Sequence, residues 1–240
     1  MKMKLITSTL IFLIAFQIDG YSKYEEIFIN DSIPTQKNIN SDKQSFTKVF
    51  YLKNGFKIKA GHEENYGKFK TFTLFQLFKN NKIIFIDSSS TEYEFGDTLY
   101  PIVIKTERNN YELLFEINDR PNKNYLKRLI IKDDVVVSED KLPTFISKPF
   151  DVNGDRLIEY AGFWNYSETW GENNGLTDYN PILYYRLTSS GLKLDSALTK
   201  QRNISIYSDF KGYRFNEKIV MPASVINKFN NEITRIEKKQ

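Results

Sequence analysis

Four oxygen-bearing side chains fall at places 1, 3, 5 and 9 of the stretch DVNGDRLIE: Asp151, Asn153, Asp155 and Glu159. A hard divalent cation such as calcium takes about six to eight oxygen ligands at short range. One loop supplies several of them when it curls around the ion and turns alternate residues inward. Gly154 relaxes the backbone where that curl is tightest. At the seventh place Leu157 offers a backbone carbonyl, and its side chain stays out of the way. Asn153 is neutral, so the set carries fewer negative charges than four carboxylates would and repels itself less when empty. The spacing therefore predicts a calcium loop with Asp151, Asn153, Asp155, Leu157 and Glu159 as ligands. An ion-free alternative uses the same residues: an Asx-rich turn whose side chains bond the local backbone.

The stretch DVNGDRLIEYAG resembles the core motif of the FG-GAP and VCBS repeats, including the calcium loops of integrin α-subunit propellers. That pattern runs Asp-x-Asp/Asn-Gly-Asp-Gly-x-x-Asp and leads into an apolar strand. Asp151, Asn153, Gly154 and Asp155 match it directly. Glu159 replaces the last Asp and keeps a carboxylate. Arg156 stands where the family has Gly, at a place that often takes a positive φ. The resemblance implies a structural calcium ion on a propeller-like β-repeat. An EF-hand would need a glutamate at place 12, and Gly162 stands there.

Downstream, Trp164, Tyr166, Trp170 and Tyr179 mix with Glu168, Glu172, Asn173, Asn174 and Asp178. Aromatic faces beside amides and carboxylates suit a sugar, whose apolar face stacks on rings while its hydroxyls need partners. Aromatics are also enriched at protein interfaces. The expected contact set for a glycan or a protein partner is Trp164, Tyr166, Trp170, Glu172 and Tyr179. Two bland alternatives exist: Trp164 and Tyr166 simply pack into a sheet, or Glu168 and Glu172 serve a carbohydrate-active hydrolase as paired acids.

Other chemistries lack their parts. His62 is the single histidine and there is no cysteine, so the second histidine of a zinc-protease helix is missing and no cysteine can replace it. No G-x-S-x-G elbow, P-loop or dinucleotide glycine turn occurs. Net charge is +4, with both signs interspersed, so no basic stripe points to nucleic acid.

These residues need elements to hold them. Residues 1–22 have the layout of a secretory signal peptide, with Lys2 and Lys4 ahead of the apolar run Leu5–Phe16. That run is too short to span a bilayer, and no later segment is apolar enough to do so. Export to the periplasm, the cell surface or the medium follows as an expectation. Residues 23–46 read as a polar lead-in, with one short strand at Glu26–Asn30.

From residue 47 to 222 short runs of Phe, Ile, Val, Tyr and Leu alternate with turn residues, the writing of an all-β antiparallel domain. Three hairpins turn at Asn80-Asn81, Asp133-Asp134 and Ser189-Ser190, at a period of roughly 55 residues. Each is preceded by a further apolar run. A propeller-like repeat accounts for that period, with a partial propeller or a sandwich as alternatives. In the tail, 223–240, Val225, Phe229, Ile233 and Ile236 fall at helical spacing, and Ser224 is placed to cap the helix.

Overall fold

The computed structural model describes residues 46–96 and 99–238. The expected signal peptide, the lead-in up to residue 45 and the strand expected at Glu26–Asn30 lie outside the described residues.

All three hairpins form where their turn residues demand. The first meander comprises β1 (Phe46–Tyr51), β2 (Phe56–Asn65), β3 (Phe69–Lys79) and β4 (Lys82–Asp87), each antiparallel to the next. Asn80 and Asn81 both sit at positive φ, 49° and 67°, as a two-residue hairpin turn matched to strand twist requires. After β5 (Tyr93–Gly96), the second meander runs β6 (Ile102–Lys105), β7 (Tyr111–Ile117), β8 (Tyr125–Lys132) and β9 (Val135–Pro143). Its last turn places Asp133 and Asp134 at φ 48° and 60°.

The third meander is looser. Its outer edge is the segment 145–150, which pairs with β10 (Glu159–Gly162) through the bridges Phe145–Gly162 and Phe150–Glu159. A side hairpin of β11 (Thr169–Trp170) and β12 (Leu176–Tyr179) intervenes. The meander resumes with β13 (Leu183–Thr188), which pairs with β10, and β14 (Gly191–Leu194), which pairs with β13. Here the left-handed residue is Gly191, at φ 106°. A Cβ at Gly191 would lie 1.9 Å from Glu112 Oε1, so glycine serves both the turn and a close approach. Helix α1 (Ser196–Tyr207) follows, then β15 (Asn216–Pro222) against β12, then helix α2 (Ser224–Glu237).

The meanders pack face to face. Phe75 stacks on Tyr93 at 4.1 Å and meets Phe115 edge-on at 5.0 Å, and Phe56 meets Tyr111 at 5.0 Å. β3 and β5 are hydrogen-bonded neighbours, but Phe56–Tyr111 joins β2 to β7 and Phe75–Phe115 joins β3 to β7 across intervening strands, so the nine hydrogen-bonded strands β1–β9 fold over on themselves. In β7, Leu113 and Phe115 face this first core while Leu114 faces a second core shared with Tyr160, Leu183, Tyr185 and Leu192 of the third meander. Alternation continues in the third meander. Ala161 and Tyr184 turn the other way, into a core closed by Leu198, Ile206 and Tyr207 of α1 and Phe229 and Ile236 of α2. Strands buried on both faces read as unbroken apolar runs rather than alternating ones, as in the Leu113–Phe115 and Leu183–Tyr185 stretches.

The tail helix buries the face expected of it: Phe229 and Ile236 fully, Val225 and Ile233 in part. Ala223, not Ser224, occupies the cap position, and no side chain caps that end. The stretch after β14, expected to stay within the β domain, is instead helix α1. Its N-cap is Asp195, whose Oδ1 accepts a hydrogen bond from Leu198 N at 2.9 Å. Two residues on its buried face are polar. Asn203 Oδ1 accepts from Ile182 N at 3.0 Å and its Nδ2 donates to Ile182 O at 2.7 Å, while Thr199 Oγ1 accepts from Tyr184 N at 3.0 Å. The helix thus completes the edge of β13 as a neighbouring strand would. Among the described residues no helix is long and apolar enough to cross a membrane.

Candidate functional site

The 151–158 loop is the turn between segment 145–150 and β10. Phe150 and Glu159 close it with two backbone hydrogen bonds of 3.0 and 3.1 Å. Asp151 is its hub: Oδ1 accepts from Gly154 N at 2.7 Å and Asp155 N at 3.1 Å, and Oδ2 accepts from Arg156 N at 2.8 Å. Burial works against its charge, but the backbone N–H groups outweigh that and hold the Asp151 carboxyl below the usual range. Asn153 Oδ1 accepts from Asp155 N at 3.1 Å, and Asp155 Oδ1 accepts from Leu157 N at 2.8 Å. Gly154 adopts φ 84° and Arg156 φ 68°. Arg156 therefore adopts a left-handed backbone, at a steric cost glycine would not carry.

Glu159 sits at the base, fully buried. Its Oε2 accepts from Val152 N at 3.1 Å. Its Oε1 makes no hydrogen bond, and the cation nearest to it in the ion-pair network is Arg186, with Nε at 3.4 Å. Burial, reinforced by the charges of Asp155 and Asp151, pushes the Glu159 carboxyl up. One carboxylate oxygen from each of Asp151, Asp155 and Glu159 lies within 4.8 Å of the others. Ligands on opposite sides of a calcium ion are about 4.6–5.2 Å apart, so the three fit one coordination sphere of that size. Leu157, the expected carbonyl ligand, is exposed and stands in the same loop between Asp155 and Glu159. The backbone-bonding turn and the oxygen cluster coexist, because Asp151 Oδ2 and Asp155 Oδ1 each accept one backbone hydrogen bond and keep a second lone pair, whereas Asp151 Oδ1 already accepts two.

The aromatic set does not assemble. Trp164 packs, partly buried, against the core between the second and third meanders. Tyr179 is 0% exposed, and its hydroxyl donates to Gly212 O at 2.9 Å and accepts from Lys211 N at 3.2 Å. Contrary to expectation its ring is a core ring and offers no contact surface. Tyr166 is 56% exposed. Trp170 is half-buried at the end of β11, next to the exposed turn holding Glu172. In that turn Asn173 and Asn174 both have φ 54°. Among the described residues no ring contact joins Trp164, Tyr166 and Trp170. Glu168 and Glu172 flank Trp170 and are exposed.

Among the described residues an open cleft lies elsewhere, lined by Tyr100, Glu116, Lys123, Phe145, Phe163 and Ile233 among others, with a volume of about 350 Å³. Burial lowers the Lys123 ammonium to about 8. Its Nζ lies over the Phe163 ring at 4.4 Å and hydrogen-bonds Thr144 Oγ1.

Sequence reasoning missed Arg186, the cross-strand partner of Glu159. Its signal was a lone charge in the apolar strand LYYRLT, but only the β10–β13 register says which residue it faces. Comparison of the chain with protein-family models, with curated proteins and with solved structures finds no match in any of the three.

Proposed function

We propose that this chain is an exported, non-enzymatic binding or structural protein of the FG-GAP/VCBS kind, in which calcium held by Asp151, Asn153, Asp155, Leu157 and Glu159 fixes the edge of the third meander. The observation that carries this is Glu159: a fully buried carboxylate with one oxygen lacking any hydrogen bond, aimed at two further carboxylates. Burying such an oxygen is costly unless a cation shares it, and Arg186 meets it at 3.4 Å without a hydrogen bond. Three successive four-stranded units, counting segment 145–150 as a strand, support a partial-propeller description of the stack. The ion's role is structural: it ties segment 145–150 to β10, which otherwise meet through only two bridges. The exposed ring of Tyr166 and the Trp170–Glu172 hairpin then form the surface offered to a glycan or protein partner.

Calcium is expected to raise the melting temperature and EGTA to lower it. A ligand at 100 times its Kd stabilises by about 2.7 kcal/mol, a shift of several degrees. Asp155→Ala abolishes the shift. A calcium response of unchanged size in Asp155→Ala would remove this loop from the proposal.

A further inference from the structure

Arg186 lies opposite Glu159 in the β10–β13 register, so the strand pairing itself delivers a guanidinium to the loop. One of its terminal nitrogens is 3.0 Å from Asp155 Oδ2 and 2.6 Å from Asp195 Oδ2, and its Nε is 3.4 Å from Glu159 Oε1. Two of these three carboxylates are the proposed calcium ligands. The third, Asp195, caps helix α1. The contact with Glu159 is poor: neither Nε nor Oε1 makes a hydrogen bond, although both are buried. A guanidinium is planar and binds a carboxylate best edge-on with two parallel bonds. Here it donates one hydrogen bond to Asp155 Oδ2, pairs with Asp195 Oδ2 as an ion pair, and meets Glu159 only by charge.

We propose that Arg186 is a built-in competitor for the cation, holding the loop closed when calcium is scarce and withdrawing onto Asp195 when calcium binds. This rests on the calcium reading above. A divalent ion among Asp151, Asp155 and Glu159 repels a guanidinium sharing the last two, and Asp195 is already within hydrogen-bond distance to receive it. The helix cap survives the exchange because Asp195 uses Oδ1 for Leu198 N and Oδ2 for Arg186. Arg186 thereby sets the calcium concentration at which the site fills, and it links filling of the loop to the start of α1.

Calcium titration by calorimetry, on the wild type, Arg186→Met and Asp195→Asn, tests this. Arg186→Met is expected to bind calcium at least tenfold tighter than the wild type, because the competitor is gone. Asp195→Asn keeps an N-cap acceptor but loses the charge that receives Arg186, so it is expected to bind calcium several-fold more weakly. In the Arg186→Met background the Asp195 change is expected to have no effect. Wild-type binding with unchanged or weaker affinity in Arg186→Met overturns the competition and leaves the calcium reading standing. No binding by either protein overturns the calcium reading and the competition with it. Should Arg186→Met fail to fold, equal affinity of the wild type and Asp195→Asn overturns the competition by itself.

Discussion

Between the first and second meanders the contact is ring on ring: Phe75 against Phe115 and Phe56 against Tyr111. Between the third meander and its helices apolar packing is joined by side chains that imitate backbone. Asn203 and Thr199 supply the donors and acceptors that a further strand would have given β13. The loop beside it is organised by Asp151 in the same manner, one carboxylate gathering three backbone N–H groups. Two ways of closing a sheet therefore occupy opposite ends of one stack. Apolar packing is non-directional and tolerates adjustment, whereas a buried polar closure is all-or-none: removing one partner strands the other. A calcium ion would belong to the second kind, since it satisfies oxygens that no neighbouring strand reaches.

Phe75→Ala should break the first end most severely, costing about 3–5 kcal/mol, and denaturant unfolding should show the same loss with calcium or with EGTA. Asn203→Ala should cost about 2–4 kcal/mol by leaving the Ile182 N–H and C=O unpaired. Hydrogen exchange should localise that loss to β13 and α1, with the first two meanders still protected at low denaturant. The smallest change is a gain: Arg156→Gly, at φ 68°, should stabilise the protein by about 0.5–1 kcal/mol by removing left-handed strain. If Arg156→Gly lowers the melting temperature instead, the arginine side chain contributes something its backbone position does not reveal.

The hairpins were legible because their causes are local. Asn80-Asn81 and Asp133-Asp134 tolerate the left-handed backbone of a two-residue turn, and Gly191 supplies it at the third. The α2 face was legible because Val225, Phe229, Ile233 and Ile236 are apolar at helical spacing, although Glu232, bonded to the Tyr184 hydroxyl, turns inward as well. Helix α1 was not, because Thr199 and Asn203 break its apolar stripe for a reason that exists only once β13 lies alongside. Tyr179 illustrates the same limit among aromatics. Its neighbours in sequence suggest a contact loop, but β12 pairs with β15 and turns the ring inward onto Tyr207 at 4.8 Å.

By itself the sequence determined the turns, the strand-rich texture, the tail helix and the 1-3-5-9 spacing of the acidic loop, since each depends on residues within one or two turns of chain. Only the tertiary structure decided that the meanders stack face to face, that Glu159 is buried with an orphaned oxygen, and that Arg186 stands opposite it. Burial and cross-strand register are properties of pairs of segments distant in the chain, and no local stretch carries them.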